Sequence, residues 1–182
     1  MRFVLTYSGP LPANGDARAK HRIRKALLPQ LRRQWEIDPA LIEVAARRQM
    51  EGIIVAREGF RFAPLVARDF SLVCYLELTL LRDEAPGNVL HTGGDIDNRL
   101  KTLFDSLSLP LPAQIAGMAP EEGEDPFYCL LEDDSLVTGF QVKTERLLET
   151  PANANDVHLN MTVVVRPTRV TIANVAFLGG WL

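Results

Sequence analysis

Residues 94–107 read GDIDNRLKTLFDSL, and residues 131–137 read LEDDSLV. Asp95 and Asp97 stand one residue apart at the mouth of an expected helix, with Lys101 one turn further in. If the backbone is still extended before that helix, side chains two apart share a side, so the two aspartates project together and Ile96 turns inward. Asp97 is also a good N-cap, because its carboxylate can accept the unpaired amides of the first turn. Within the helix Leu100, Leu103, Phe104 and Leu107 form an apolar stripe, and Lys101 and Asp105 lie opposite, at i+4 and i+8 from Asp97.

Two carboxylates at close range repel, and each raises the other's pKa unless a cation compensates. Mg²⁺ suits such oxygen ligands: it takes one or two carboxylates, keeps several waters and accepts phosphate oxygens. A third acid from Glu132, Asp133 or Asp134 could complete the set. Three acids beside a lysine are the means of metal-assisted phosphodiester cleavage, in which the ion supplies Lewis acidity and the ammonium group stabilises developing charge. The competing reading is an ordinary capped helix followed by an acidic turn.

Other chemistries fare worse. An EF-hand counted from Asp95 ends at Ser106, where a bidentate acid is required, and has no glycine at its sixth place. His21, His91 and His158 are too widely spaced for a zinc pattern. Gly93-Gly94 lacks the Lys-Ser/Thr of a phosphate-binding loop. Ser106 and Ser135 have no evident histidine base. Cys74 and Cys129 are too few for a disulfide framework. No apolar run approaches the roughly 20 residues of a membrane span, and the N-terminus lacks the pattern of a secretory leader, so the expectation is a cytoplasmic protein.

The net charge of −3 hides an asymmetry. Residues 1–70 hold 13 Lys and Arg against 7 Asp and Glu, and residues 71–182 hold 7 against 16. The densest basic stretch, ARAKHRIRKALLPQLRRQ, carries Arg18, Lys20, Arg22, Arg24 and Lys25, which can neutralise phosphates whatever the overall charge. A solvated helix face is the plain alternative. Lys143 is a further candidate phosphate contact.

The elements that must position these groups follow from hydrophobic period and turn chemistry. Residues 2–8 read as a strand and GPLPANGD as a turn. From Ala17 to Arg48 the pattern is helical, with Pro29 and the IDPA at 37–40 expected to break it. GIIVAREGFRFAPL reads as two short extended pieces around Gly59. DFSLVCYLELTLLR, apolar on both faces, reads as a central strand. SLVTGFQVKTERL and VHLNMTVVVRP are two further strands, and the apolar tail ANVAFLGGWL should dock on the core. The expected fold is α+β, a single domain over 1–182: helices on one mixed β-sheet, a long N-terminal helical segment, a short helix after the D-x-D motif and an inserted loop at about 108–130.

D-x-D-N, a lysine four residues on, F-D-x-L and a D-D pair opening a strand together resemble the signature of the RusA-type Holliday junction resolvases. The opening strand, G-P-x-P turn and basic stretch are similar too. The resemblance implies a RusA-like homodimeric endonuclease that needs Mg²⁺ and cuts a four-way DNA junction by paired, symmetric cleavage. It places the catalytic carboxylates on Asp95, Asp97 and Asp134, the lysine on Lys101, and a further match for the metal set on Asp133. The chain departs from the family in its length, in the acids Glu121, Glu122, Glu124 and Asp125 between the two motifs, and in HTGG where basic residues should precede Asp95. The altered approach to Asp95 and the acidic insertion motivate a second expectation, a DNA-binding or assembly protein that kept the fold and lost the chemistry; a third is metal-dependent hydrolysis of nucleotides or another phosphodiester.

Overall fold

The computed structural model describes residues 1–46, 50–83, 96–153 and 155–181. Asp95, His91 and the whole connector at 84–95 lie outside the described residues.

The architecture is α+β, with two mixed sheets rather than the single sheet expected. Strands β1 (Arg2–Pro10), β4 (Leu72–Arg82), β6 (Val137–Arg146) and β7 (Asp156–Pro167) form one sheet in the order β1-β7-β4-β6. In it β1–β7 and β4–β7 are antiparallel and β4–β6 is parallel. Strands β2 (Val55–Arg57), β3 (Phe60–Val66) and β5 (Phe127–Leu131) form the second, with β2–β3 antiparallel and β3–β5 parallel. The expected loop at 108–130 therefore ends early. Phe127–Leu131 is a strand, and Pro112–Ile115 makes one helical turn, α5. Four of the five residues in FYCLL are buried, so a short apolar run with no alternation is what such a strand must look like.

Helix α1 (Ala17–Ile37) is one continuous helix. Asp16 caps it, its carboxylate accepting the Ala19 amide at 2.7 Å. Pro29 does not break it: the residue is exposed, so the carbonyl it leaves without a donor faces water. The break comes at Asp38-Pro39, where Asp38 ends α1 and its Oδ1 accepts the Ala40 amide at 2.9 Å at the start of α2 (Pro39–Ala46). A four-residue turn, α3 (Met50–Ile53), follows. Ile23, Leu27, Leu31 and Trp35 of α1 pack on the inward faces of β4 (Leu72, Cys74, Leu76, Leu78, Leu80) and β7 (Val157, Leu159, Met161, Val163, Val165) in one core. A smaller core of Leu28, Phe60, Phe62, Leu109, Ile115, Phe127 and Cys129 sits over the second sheet. The tail docks as expected: Phe177, in a 3₁₀ helix at Val175–Trp181, is buried against Phe70.

Helix α4 (Ile96–Leu107) is where the fold serves the candidate site. Its buried face is Arg99, Thr102, Leu103, Ser106 and Leu107, polar in three of five positions. Thr102 Oγ1 accepts the Gly15 amide at 2.8 Å, so the loop before α1 lies directly on α4. A Cβ at Gly15 would fall 2.6 Å from Thr102 Cγ2, so only glycine allows that approach. Gly15→Ala should destabilise the protein by about 1–3 kcal/mol in urea denaturation, and adding Thr102→Ser, which removes the clashing methyl and keeps the hydroxyl, should recover most of it.

Candidate active site

Helix α4 is fixed against the body by two arginines. Arg99 Nη1 donates to the Leu11 carbonyl at 2.5 Å, and its Nη2 donates to Asn155 Oδ1 at 3.3 Å. Arg24 of α1, only 2% exposed, donates from Nη2 to the Asp105 carbonyl at 2.5 Å and from Nε to the Ser108 carbonyl at 3.3 Å. These bonds occupy the free carbonyls at the helix's C-terminal end with a buried cation, the favourable sign for that end of the dipole. Burial pushes the Arg24 guanidinium down to about 10. Arg24 is therefore an internal anchor and not the surface phosphate contact expected from its place in the basic stretch.

The chain leaving α4 is tied to the end of β5, because the Leu109 amide donates to the Leu131 carbonyl at 3.1 Å. The acidic motif at 132–134 follows at once and is held by Arg68. The Arg68 amide donates to Glu132 Oε2 at 2.7 Å and its Nη1 to Oε1 at 3.1 Å, while Nη2 pairs with Asp133 at 3.2 Å. Asp133 also caps the 3₁₀ turn Asp134–Leu136, accepting the Ser135 amide at 3.0 Å and the Ser135 hydroxyl in a short bond. Those Ser135 bonds, with Arg68 behind them, hold the Asp133 carboxyl below its ordinary range. Of the three acids that could complete the set, Glu132 and Asp133 are thus committed to local structure. The Asp134 side chain, exposed, has no hydrogen-bond or ion-pair partner among the described residues.

Asp97, Leu100, Lys101, Phe104, Asp105, Asp134 and Phe140 line one open cavity of about 240 Å³. Three aspartates and a lysine, from two segments of the chain about thirty residues apart, thus line one space. Asp97 does not cap the helix. It lies inside the first turn, its Oδ1 accepting the Asn98 amide at 2.8 Å, so the extended-backbone reason for pairing it with Asp95 does not hold at residue 97. Lys101, exposed, has no ionic partner among the described residues. Asp105, expected on the solvent side, is paired with Lys20 at 2.7 Å. Phe104 and Phe140 meet edge to face at 5.1 Å and form the apolar wall with Leu100. Asp133 faces a separate, smaller cavity with Asp105, Glu132 and Asp134, so Asp105 and Asp134 are common to both, and of these two Asp105 is paired with Lys20. Asp133 does not line the Asp97–Lys101 space, to which the resemblance assigns it as a further metal match.

Among the described residues no group of three or more His, Cys, Asp or Glu is close enough to hold a metal ion. Of the three carboxylates lining the larger cavity, Asp105 is held by Lys20 and Asp97 and Asp134 have no ionic partner among the described residues, while the third expected ligand, Asp95, lies outside them. Exposed carboxylates are the donor type taken by a hard cation that keeps most of its waters.

The basic residues of α1 divide by helix face. Arg18 and Arg22, one turn apart, are exposed. Lys20 is spent on Asp105, and Lys25 on Glu121 at 2.6 Å and Glu124 at 3.0 Å. Arg32 donates to the Gly123 carbonyl, so the acidic segment 121–124 lies against α1. Lys143, on β6, is paired with Glu145 at 2.8 Å. Arg18 and Arg22 are what remains of the six expected phosphate contacts with a side chain both exposed and outside these pairings.

Sequence reasoning missed the buried arginines and the aromatic wall. Arg24 has Leu27, Leu28 and Leu31 at i+3, i+4 and i+7, which places it on the inward stripe, and Arg99 has Thr102, Leu103 and Ser106 likewise. Phe140 gave no local signal. Arg24→Met should cost about 1–3 kcal/mol by stranding two buried carbonyls, whereas Asp134→Asn should change stability by less than about 0.5 kcal/mol; chemical denaturation of both variants checks the contrast. No model of a known protein family matches the chain, and no curated protein matches it significantly.

Proposed function

We propose that the chain is a Mg²⁺-dependent, structure-selective DNA endonuclease of the RusA type that resolves four-way junctions as a cytoplasmic homodimer. The observation that carries this reading is the meeting of Asp97, Lys101 and Asp134 around one cavity without ionic partners among the described residues, while the neighbouring charges Asp105, Glu132 and Asp133 are all paired. Two carboxylates and an ammonium group left exposed without ion pairs contribute little to stability, and an external cation and a phosphate would satisfy them.

In this reading Asp97 and Asp134, with Asp95, would hold the ion, whose contribution is Lewis acidity at the scissile phosphate. Lys101, one turn above Asp97, would stabilise the negative charge that develops on the phosphoryl oxygens. The wall of Leu100, Phe104 and Phe140 removes water from one side of the site, which strengthens those electrostatic contacts. Arg18 and Arg22 on α1 are the groups left to hold backbone phosphates, which fix position rather than sequence. A twofold dimer supplies two sites for two symmetric strands.

A second reading has its own observation. The acidic segment at 121–124 occupies Lys25 and lies against Arg32, removing basic groups from the face that should meet DNA. A DNA-binding or assembly protein with lapsed chemistry would tolerate that.

The deciding assay offers a labelled four-way junction, plain duplex and free nucleotide, with and without Mg²⁺. Junction cleavage only with the ion is expected. Binding without cleavage would favour the lapsed protein, and turnover of nucleotide alone would refute the nuclease. Asp97→Asn and Lys101→Ala should each lower cleavage by at least about a hundredfold, with junction binding retained. Arg18→Ala and Arg22→Ala should instead weaken binding and flatten its salt dependence, by about 0.9 in the log–log slope for each phosphate no longer neutralised.

A further inference from the structure

The four-stranded sheet has two edges, and the chain treats them differently. At β1 the edge is capped at its middle by a side chain of α1: Gln30 Oε1 accepts the Thr6 amide at 2.9 Å, and Gln30 Nε2 donates to the Thr6 carbonyl at 2.7 Å. At β6 the strand order ends, and no described residue pairs with the outer side of a ten-residue strand. An edge of that length left open is a template for another strand.

The residues along β6 and just beyond it are arranged symmetrically about Thr144. Lys143 and Glu145 flank it on one face of the sheet, opposite in charge. Phe140 stands four residues before it on the other face, Leu148 lies four residues after it, just past the end of the strand, and both are exposed, at 48% and 92%. Phe140 already packs on Phe104 of α4, so that face is the one carrying the candidate site. An antiparallel strand with the same sequence, centred on Thr144, would set each Lys143 opposite a Glu145 and each Phe140 opposite a Leu148. The intrachain Lys143–Glu145 pair would become a ring of four alternating charges, and two exposed apolar side chains on each copy would be covered.

We propose that a second copy of this chain pairs antiparallel along β6, with the twofold axis passing through Thr144. The axis of such a pairing is perpendicular to the sheet, so the two sheets join as one and both candidate sites open on the same face of it. Leu148 of each copy would then lie against Phe140, on the wall of the other's cavity. This deepens the dimer reading given above and rests on that part of it alone, independent of any chemistry at Asp97.

The test uses the full chain without DNA or metal, so its outcome is separate from that of the nuclease assay. Thr144→Cys places a thiol on the axis, where directly opposed residues have Cα atoms about 4.5–5.5 Å apart, within disulfide range. The native Cys74 and Cys129 are buried and their thiols pushed up to about 12, so they will not compete. Oxidation should cross-link Thr144→Cys into a covalent dimer, and a cysteine at Thr138 should stay monomeric on a non-reducing gel. By sedimentation, Lys143→Glu and Glu145→Lys alone should each weaken dimerisation roughly tenfold, and the double exchange should restore it. A chain that sediments as a monomer, a dimer that fails to cross-link at 144, or a double exchange no better than the singles would overturn the proposal.

Discussion

The anchoring of α4 is the constraint on which the rest depends. An amphipathic helix of twelve residues ordinarily turns an apolar stripe inward, but here Arg99, Thr102 and Ser106 share that stripe with Leu103 and Leu107. Each buried polar group has to find a partner or cost the protein free energy. Arg99 finds the Leu11 carbonyl and Asn155, Thr102 finds the Gly15 amide, and Ser106 donates to the Thr102 carbonyl. These directional bonds fix the rotation of the helix more tightly than apolar packing would. With that face held, Asp97 and Lys101 have one direction left, outward into the cavity shared with Asp134.

Arg24 extends the same constraint to the second half of the site. It joins α1 to the end of α4, and the following residues are tied to the end of β5. Strand β5, pairing parallel with β3, delivers Glu132, Asp133 and Asp134 in sequence, and Arg68 gathers the first two. The site is thus assembled by two arginines acting at a distance from it, one buried and one half-exposed. Within the acidic run Glu132 and Asp133 are paired and hold the structure, while the Asp134 side chain has no partner among the described residues, a division that separates scaffold from candidate chemistry.

The acidic segment at 121–124 takes on a structural role as well. Two hydrogen bonds from Lys25 to Glu121 and Glu124 raise the Lys25 pKa and hold the segment to α1. The same contact subtracts from the basic face, so the surface offered to a polyanion is narrower than the charge count of α1 implies.

Much was legible in the chain itself. Period-2 alternation in VHLNMTVVVRP and DFSLVCYLELTLLR marked the two central strands, because their burial is decided by residues adjacent in sequence. The helix after D-x-D, with its apolar positions and the lysine one turn from Asp97, was visible for the same reason. Four things were settled only by tertiary structure. Strand β5 was hidden because a strand buried on both faces shows no period. Pro29 was harmless because it lies on the exposed side of α1, a position not readable from spacing alone. The choice of Asp134 over Glu132 and Asp133 depended on Arg68, sixty-odd residues away, and the retirement of Arg24 from the surface depended on the carbonyls of Asp105 and Ser108. Local sequence decides which side chains can carry charge. Which of those charges remain free is a property of partners that only the folded chain brings within reach.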